Sequence, residues 1–151
     1  STLLDENPVS RVVEVGGGYG GLCKTLDVVC DFDEYILVDL PEAVKVQEKY
    51  LKNFPELHAK CKFVSCDDLE KIEDIDLFIS NYALSECDYD TQMKYYDNLI
   101  ENSKFTYIIY NLVNFNDFYY NKFIERVSER FEFTTSKDYE NTVILSKLKE
   151  Q

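Results

Sequence analysis

The stretch Arg11-Val-Val-Glu-Val-Gly-Gly-Gly-Tyr-Gly-Gly-Leu22 governs how the rest of the chain is read. The β-branched run Arg11–Val15 predicts a strand, because Val packs well on a pleated surface. It leads straight into the glycine segment 16–21, and Leu22-Cys-Lys-Thr-Leu26 predicts a helix. Gly16, Gly18 and Gly21 satisfy G-x-G-x-x-G between that strand and that helix. In that placement the glycines let the backbone approach a ligand closely and adopt positive φ. A second strand, Tyr35-Ile-Leu-Val-Asp39, ends in a carboxylate 23 positions after Gly16. An acid there can accept hydrogen bonds from two ribose hydroxyls. Loop and carboxylate together imply an adenosine-type cofactor. The alternative is a tight turn followed by Asp39 acting only as a helix cap.

Outward from this core the pattern continues to alternate. Pro41 sits where a helix accepts a first-turn proline. Apolar residues from Glu42 to Phe54 recur at helical spacing, with Pro55 expected to close that helix. Lys62–Ser65 and Ile75–Ser80 predict strands three and four, and Phe105–Tyr110 strand five. Asp90–Asn102 and Phe118–Arg130 predict helices. Phe131–Ser136 and Thr142–Leu148 predict two last strands joined through the polar segment Lys137–Asn141. Strands alternating with helices imply an α/β fold, a mostly parallel, Rossmann-like sheet with helices on both faces. The last two strands have no helix between them, so an antiparallel C-terminal hairpin is expected to complete seven strands. Ligands in such sheets bind beyond the carboxyl ends of the strands.

The chain has 151 residues, 45% of them hydrophobic and 15% aromatic, which is enough for one domain with a real core and excludes a disordered tail. With 16 Lys+Arg against 29 Asp+Glu, the net charge is −13. So acidic a surface repels phosphate backbones and anionic lipid heads, which weighs against nucleic-acid and membrane partners. The five cysteines are odd in number and include no CxxC pair, so reduced thiols and a cytoplasmic location are expected. A single domain over residues 1–151 is expected. The start Ser-Thr-Leu-Leu, without Met, suggests excision from a longer protein whose other domains are potential partners. The lone His58 lies toward the edge opposite the ligand face and is read as a surface residue.

Two cofactors fit the glycine loop, a dinucleotide and S-adenosylmethionine. Glu14, flanked by valines two residues before the first glycine, favours the second. A carboxylate there would repel a pyrophosphate but suits a cofactor carrying an ammonium and a sulfonium. Val13-Glu-Val-Gly-Gly-Gly-Tyr-Gly-Gly-Leu22, Val38-Asp-Leu-Pro-Glu42 and Ser80-Asn-Tyr-Ala-Leu-Ser-Glu86 together resemble the class I S-adenosylmethionine-dependent methyltransferases. More narrowly, they resemble the sugar O-methyltransferase family, from Arg11 to about Lys149. The resemblance implies that Glu14, Gly16, Gly17 and Gly18 line the methionine part of the cofactor, with Tyr19 also at the cofactor. Asp39 would hold the ribose and Leu40 would pack on the adenine. Asp67 would accept from the adenine amino group, Asp68 would offer its backbone N–H, and Ser80 and Asn81 would lie under the sulfur. For Asp67 and Asp68 the alternative is a helix N-cap pair.

Methyl transfer needs an in-line approach of the acceptor oxygen, and a general base helps a protonated hydroxyl to attack. Glu86, six residues past strand four, is the candidate base, and Asp88 is the second; the alternative for Glu86 is a solvated loop acid. Asp88, Asp90 and Asn111 could instead hold a divalent metal, which is the less favoured reading because related metal sites carry an Asp-Asn pair where this chain has Asn111-Leu112. Tyr82 and Tyr89 are the tyrosines to stack on a sugar ring, and the acceptor is expected to be a sugar or glycan. The competing functions are an NAD-dependent oxidoreductase or epimerase, and a methyltransferase-like binding module without catalysis. No Tyr has a Lys four residues later, which removes the short-chain form of the oxidoreductase.

Overall fold

The valine-rich segment around Glu14 is a strand buried on both faces. In the computed structural model, which describes residues 8–112, 117–138 and 141–150, β1 (Arg11–Val15) has four consecutive buried residues. β2 (Glu34–Asp39) does as well. Unbroken burial of this kind marks strands covered on both sides, as parallel sheets are. The chain divides into two compact units, Ser1–Leu69 and Glu70–Gln151.

In the first unit β1 leads through the glycine segment into α1 (Gly21–Val29), then β2, α2 (Pro41–Leu51), α3 (Pro55–Lys60) and β3 (Cys61–Ser65). The strands lie in the order β3-β2-β1, all parallel, with Glu14 beside Leu37 and Asp39 beside Ser65. Phe32, Tyr35, Leu37, Leu51 and Leu57 are buried around them. Each fully buried side chain of this size contributes about 1.5–3 kcal/mol.

The second unit runs β4 (Ile75–Asn81), α4 (Tyr89–Asn98), β5 (Ser103–Asn111), α5 (Asp117–Arg130), β6 (Phe131–Asp138) and β7 (Asn141–Leu148). β4 and β5 are parallel, while β7 inserts antiparallel between β5 and β6. The C-terminal hairpin therefore lies where the sequence puts it, and the seven strands form the expected mixed α/β class. Of the expected joining segment Lys137–Asn141, Tyr139 and Glu140 lie outside the described residues, as do the first seven residues of the chain. Phe78, Tyr96, Leu99, Tyr110, Phe123 and Phe131 fill the core of this unit.

Besides shifts of a few residues at strand and helix ends, two expected helices are interrupted. The helix expected to run from Glu42 to Phe54 stops at Leu51, and Pro55 opens a new helix instead of closing the old one. The Asn53 amide donates to the Tyr50 carbonyl at 2.7 Å, which satisfies one open helix end. Pro has no N–H to lose at a first helical position, so it starts a helix as readily as it stops one. The helix predicted over 90–102 breaks at Leu99, whose φ of −127° is outside the helical range, and a 3₁₀ turn over Ile100–Asn102 comes next. His58 lies within α3, half-buried and stacked on Phe63, so it packs rather than projecting from the surface.

Candidate active site

The glycine loop is shaped by its backbone. Gly18 has φ +57° and Gly20 φ +95°, a region that side chains with a Cβ rarely adopt. Gly20 caps α1 in this left-handed conformation, whereas Gly21 is simply the first helical residue. The left-handed glycines are thus Gly16, Gly18 and Gly20, not the Gly21 of the sequence pattern. No side chain caps α1 and no acid lies in its first turn. A Cβ built on Gly18 would meet nothing within 4 Å, so open space lies on that side of the loop.

Against the other side of the loop lies a buried polar cluster. In a strand alternate residues share a face, so Tyr35, Leu37 and Asp39 point the same way, beside Glu14. The Tyr35 hydroxyl donates to Glu14 Oε2 at 2.8 Å. Glu14 is 2% exposed. Burial pushes its carboxyl up to about 7, the Tyr35 hydrogen bond offsets part of this, and the charge of Asp39 adds to it. A Cβ on Gly17 would come within 3.2 Å of Glu14 Oε2 and 3.0 Å of the Leu37 side chain, so a larger residue there would have to push both aside.

Gln47 joins the loop to Asp39. From α2 its Nε2 donates to Asp39 Oδ2 at 2.8 Å and to the Gly18 carbonyl at 3.1 Å. The Leu40 N–H donates to Asp39 Oδ1 at 2.8 Å. Each carboxylate oxygen therefore has one donor and keeps acceptor capacity. Gln47 is fully buried, and its Oε1 has no hydrogen-bond partner among the described residues. Sequence reasoning missed it. The available signal was a polar residue between Val44 and Leu51 on the apolar stripe of α2.

The remaining residues of the first unit are more open. Leu40 is 62% exposed and Tyr19 is 59% exposed, with the Tyr19 ring edge-on to Tyr50. Asp67 and Asp68 are exposed within a short 3₁₀ turn after β3. Neither is its cap: Ser65 Oγ accepts from the Asp67 N–H at 3.2 Å. That frees both carboxylates from the capping role the sequence left open.

In the second unit Ser80, Asn81, Glu86 and Asp88 lie on or beside the turn after β4. Ser80 is buried and its Oγ accepts from the Leu84 N–H at 3.3 Å. Asn81 Oδ1 is buried without a partner among the described residues. Tyr82 has φ +70°, unfavourable for a bulky residue by about 1–3 kcal/mol. It is held there because its N–H donates to the Ile109 carbonyl at 2.9 Å and its own carbonyl accepts from Ser85 Oγ at 2.6 Å. Ser85, also missed by the sequence reading, accepts in addition from the Asn111 N–H at 3.0 Å. It ties this turn to the end of β5, and the Leu84-Ser85 part of the motif is structural.

Glu86 is exposed and makes no hydrogen bond or ion pair among the described residues. Asp88 caps α4, with Oδ1 accepting from the Thr91 N–H at 2.8 Å, and that bond holds its carboxyl below the usual range. Tyr89 stacks on Tyr119 at 6.0 Å. Among the described residues no three His, Cys, Asp or Glu side chains are placed to hold a metal ion.

No protein-family model matches the sequence, and no curated protein does. Solved structures match over nearly the whole chain. One is an S-adenosylmethionine-dependent methyltransferase from Clostridium acetobutylicum, with a TM-score of 0.74 at 12% identity over 97% of this chain and 87% of that one. Another is the methyltransferase domain of bacterial CtHen1, with a TM-score of 0.71 at 13% identity over 97% of this chain and 94% of that one. A third is the mitomycin 7-O-methyltransferase MmcR, with a TM-score of 0.67 at 13% identity over 93% of this chain. This chain spans 49% of MmcR's length. At such identities the likeness is one of fold, and the fold of this chain is the Rossmann-like fold of the class I methyltransferases.

Proposed function

We propose that this chain is an S-adenosylmethionine-dependent O-methyltransferase domain acting on a sugar hydroxyl, free or within a glycan. The observation that carries the cofactor is Glu14, a buried acid against the glycine loop. A dinucleotide would bring a second negative group toward it. A cofactor with an ammonium and a sulfonium would bring positive charge instead. The open space at Gly18 is a further feature that suits such a molecule.

Each residue then has a task. Asp39 would accept from the ribose hydroxyls with the lone pairs that Leu40 and Gln47 leave free, and Gln47 would hold it in position. Exposed Leu40 would cover the adenine face, and Asp67 and Asp68 would meet its edge. Gly16 to Gly18, with Tyr19, would border the methionine portion, and Ser80 and Asn81 the reacting end. The cofactor supplies an electrophilic methyl group on a good leaving group. The chain supplies orientation and a proton acceptor. Glu86 is favoured as that acceptor because both its oxygens are open. Asp88 is already committed to capping α4, and its lowered pKa makes it the weaker base. A divalent metal is the less favoured reading, since no three His, Cys, Asp or Glu side chains gather among the described residues.

The sugar acceptor rests on the segments Val38–Glu42 and Ser80–Glu86 and their resemblance to the sugar O-methyltransferases. The test is incubation with S-adenosylmethionine and a panel of deoxysugars, hexoses, glycans and non-sugar hydroxyl compounds such as phenols, with products read by mass spectrometry. A methylated sugar hydroxyl is expected. Methylation of other hydroxyl compounds but no sugar would remove the sugar assignment, and cofactor binding without transfer to any acceptor would favour a binding module.

A further inference from the structure

We propose that Cys23 and Cys61 are a modification site, a dithiol pair that peroxide converts into a reversible disulfide joining α1 to β3. Their sulfurs lie 3.7 Å apart although the residues are 38 positions apart in the chain. Cys23 is the third residue of α1, just after the glycine segment, and Cys61 is the first residue of β3. Both belong to the first unit and both stand on regular elements, with Cys61 in register beside Tyr35. A disulfide needs about 2.05 Å between sulfurs, so roughly 1.7 Å of closure is required.

The two thiols differ in a way that suits sequential chemistry. Cys61 is half-buried, the more accessible of the two, while Cys23 is fully buried. A hydrogen bond from the Cys23 thiol favours the Cys61 thiolate and the Lys60 ammonium adds to this, against burial, the charge of Asp27 and the bond that the Cys61 thiol itself donates to the Leu57 carbonyl at 3.2 Å. The same sulfur–sulfur bond and burial push Cys23 up and keep it a thiol. The thiolate is the reactive form. Cys61 sulfur attacks one peroxide oxygen, the O–O bond breaks and hydroxide leaves, giving a sulfenic acid. Cys23 sulfur then attacks the Cys61 sulfur, the S–O bond breaks, and the departing hydroxide takes the Cys23 proton. In total two thiols and one hydrogen peroxide give one disulfide and two waters.

The bond would close the segment from Cys23 to Cys61, which carries Asp39 and Gln47. Restricting that segment in the unfolded chain should raise the thermal midpoint, on the order of 5–10 °C. The test treats the whole chain, under native conditions, with equimolar hydrogen peroxide, alkylates free thiols and maps unreduced peptides. A Cys23–Cys61 linked peptide is expected, with Cys30, Cys66 and Cys87 alkylated. Dithiothreitol should reverse both the link and the rise in midpoint, and Cys61→Ser and Cys23→Ala should abolish both. Five alkylated cysteines, over-oxidised Cys61 without a link, or links spread over several pairs would each overturn the proposal. The peptide map of the parent chain decides the matter even where a variant does not fold.

Discussion

Replacing Glu14 by Gln should change the pH dependence of stability more than stability itself. In the folded chain burial moves the Glu14 carboxyl from its ordinary 4.5 to about 7. The unfolded chain releases that proton near 4.5, while the folded chain keeps it until about 7. Stability from the neutral form is therefore complete below 4.5 and is lost as pH rises toward 7, after which the loss is constant. At about 1.4 kcal/mol per pH unit, the displacement from 4.5 to about 7 costs about 3 kcal/mol in full. Gln keeps the size and a carbonyl that can accept from Tyr35, but it cannot ionise. Urea unfolding of parent and Glu14→Gln at about pH 5 and about pH 8 gives the comparison. The other acids of this chain contribute to both proteins alike and cancel in the difference. The parent should lose about 2–4 kcal/mol more than the variant between the two pH values. Parallel losses, within about 0.5 kcal/mol, would refute the burial of Glu14 as an ionisable acid.

The same geometry sets other outcomes. Gln47→Leu leaves Asp39 Oδ2 and the Gly18 carbonyl without their shared donor, and should cost about 1–3 kcal/mol in denaturant melts. Gly18→Val forces a branched residue to φ +57°, at about 1–3 kcal/mol, and fills the open side of the loop. Circular dichroism should show a folded protein that no longer binds S-adenosylhomocysteine. Glu86→Gln should lower single-turnover methyl transfer by ~10²–10⁴ with an unchanged thermal midpoint. Asp88→Ala, by contrast, should lower the midpoint through loss of the α4 cap. Because the folded Asp88 carboxyl sits below its ordinary range, its contribution is present above 3.8 and fades as pH falls through the folded value, so midpoints of parent and variant should converge in acid.

The strands were legible because Val, Ile and Phe cluster in short runs bounded by turn residues, as at Arg11–Val15 and Ile75–Ser80. The glycine segment and Asp39 were legible because both sit at fixed offsets from strand ends. Pro55 was not, since proline suits a helix start and a helix stop equally, and the choice depends on the backbone of residues 55–60. The break at Leu99 was hidden because apolar spacing continues through it while the backbone does not. Gln47, Tyr35 and Ser85 were invisible for a different reason. Their roles depend on which residues share a face after β1 and β2 pair in register, and after the β4 turn folds back to Asn111. Cys23 and Cys61 meet only through packing of α1 against β3, so no spacing rule could connect them.

That the loop around Gly18, with Glu14 and Asp39, holds S-adenosylmethionine is tested most directly by calorimetric titration. The parent chain and Asp39→Ala are titrated with S-adenosylhomocysteine and, separately, with NAD⁺. One S-adenosylhomocysteine site is predicted on the parent, with no heat of binding for NAD⁺ and a loss of about 1.5–3 kcal/mol per ribose hydrogen bond in Asp39→Ala. Binding of NAD⁺ in preference to S-adenosylhomocysteine, or equal S-adenosylhomocysteine affinity in parent and variant, would contradict it.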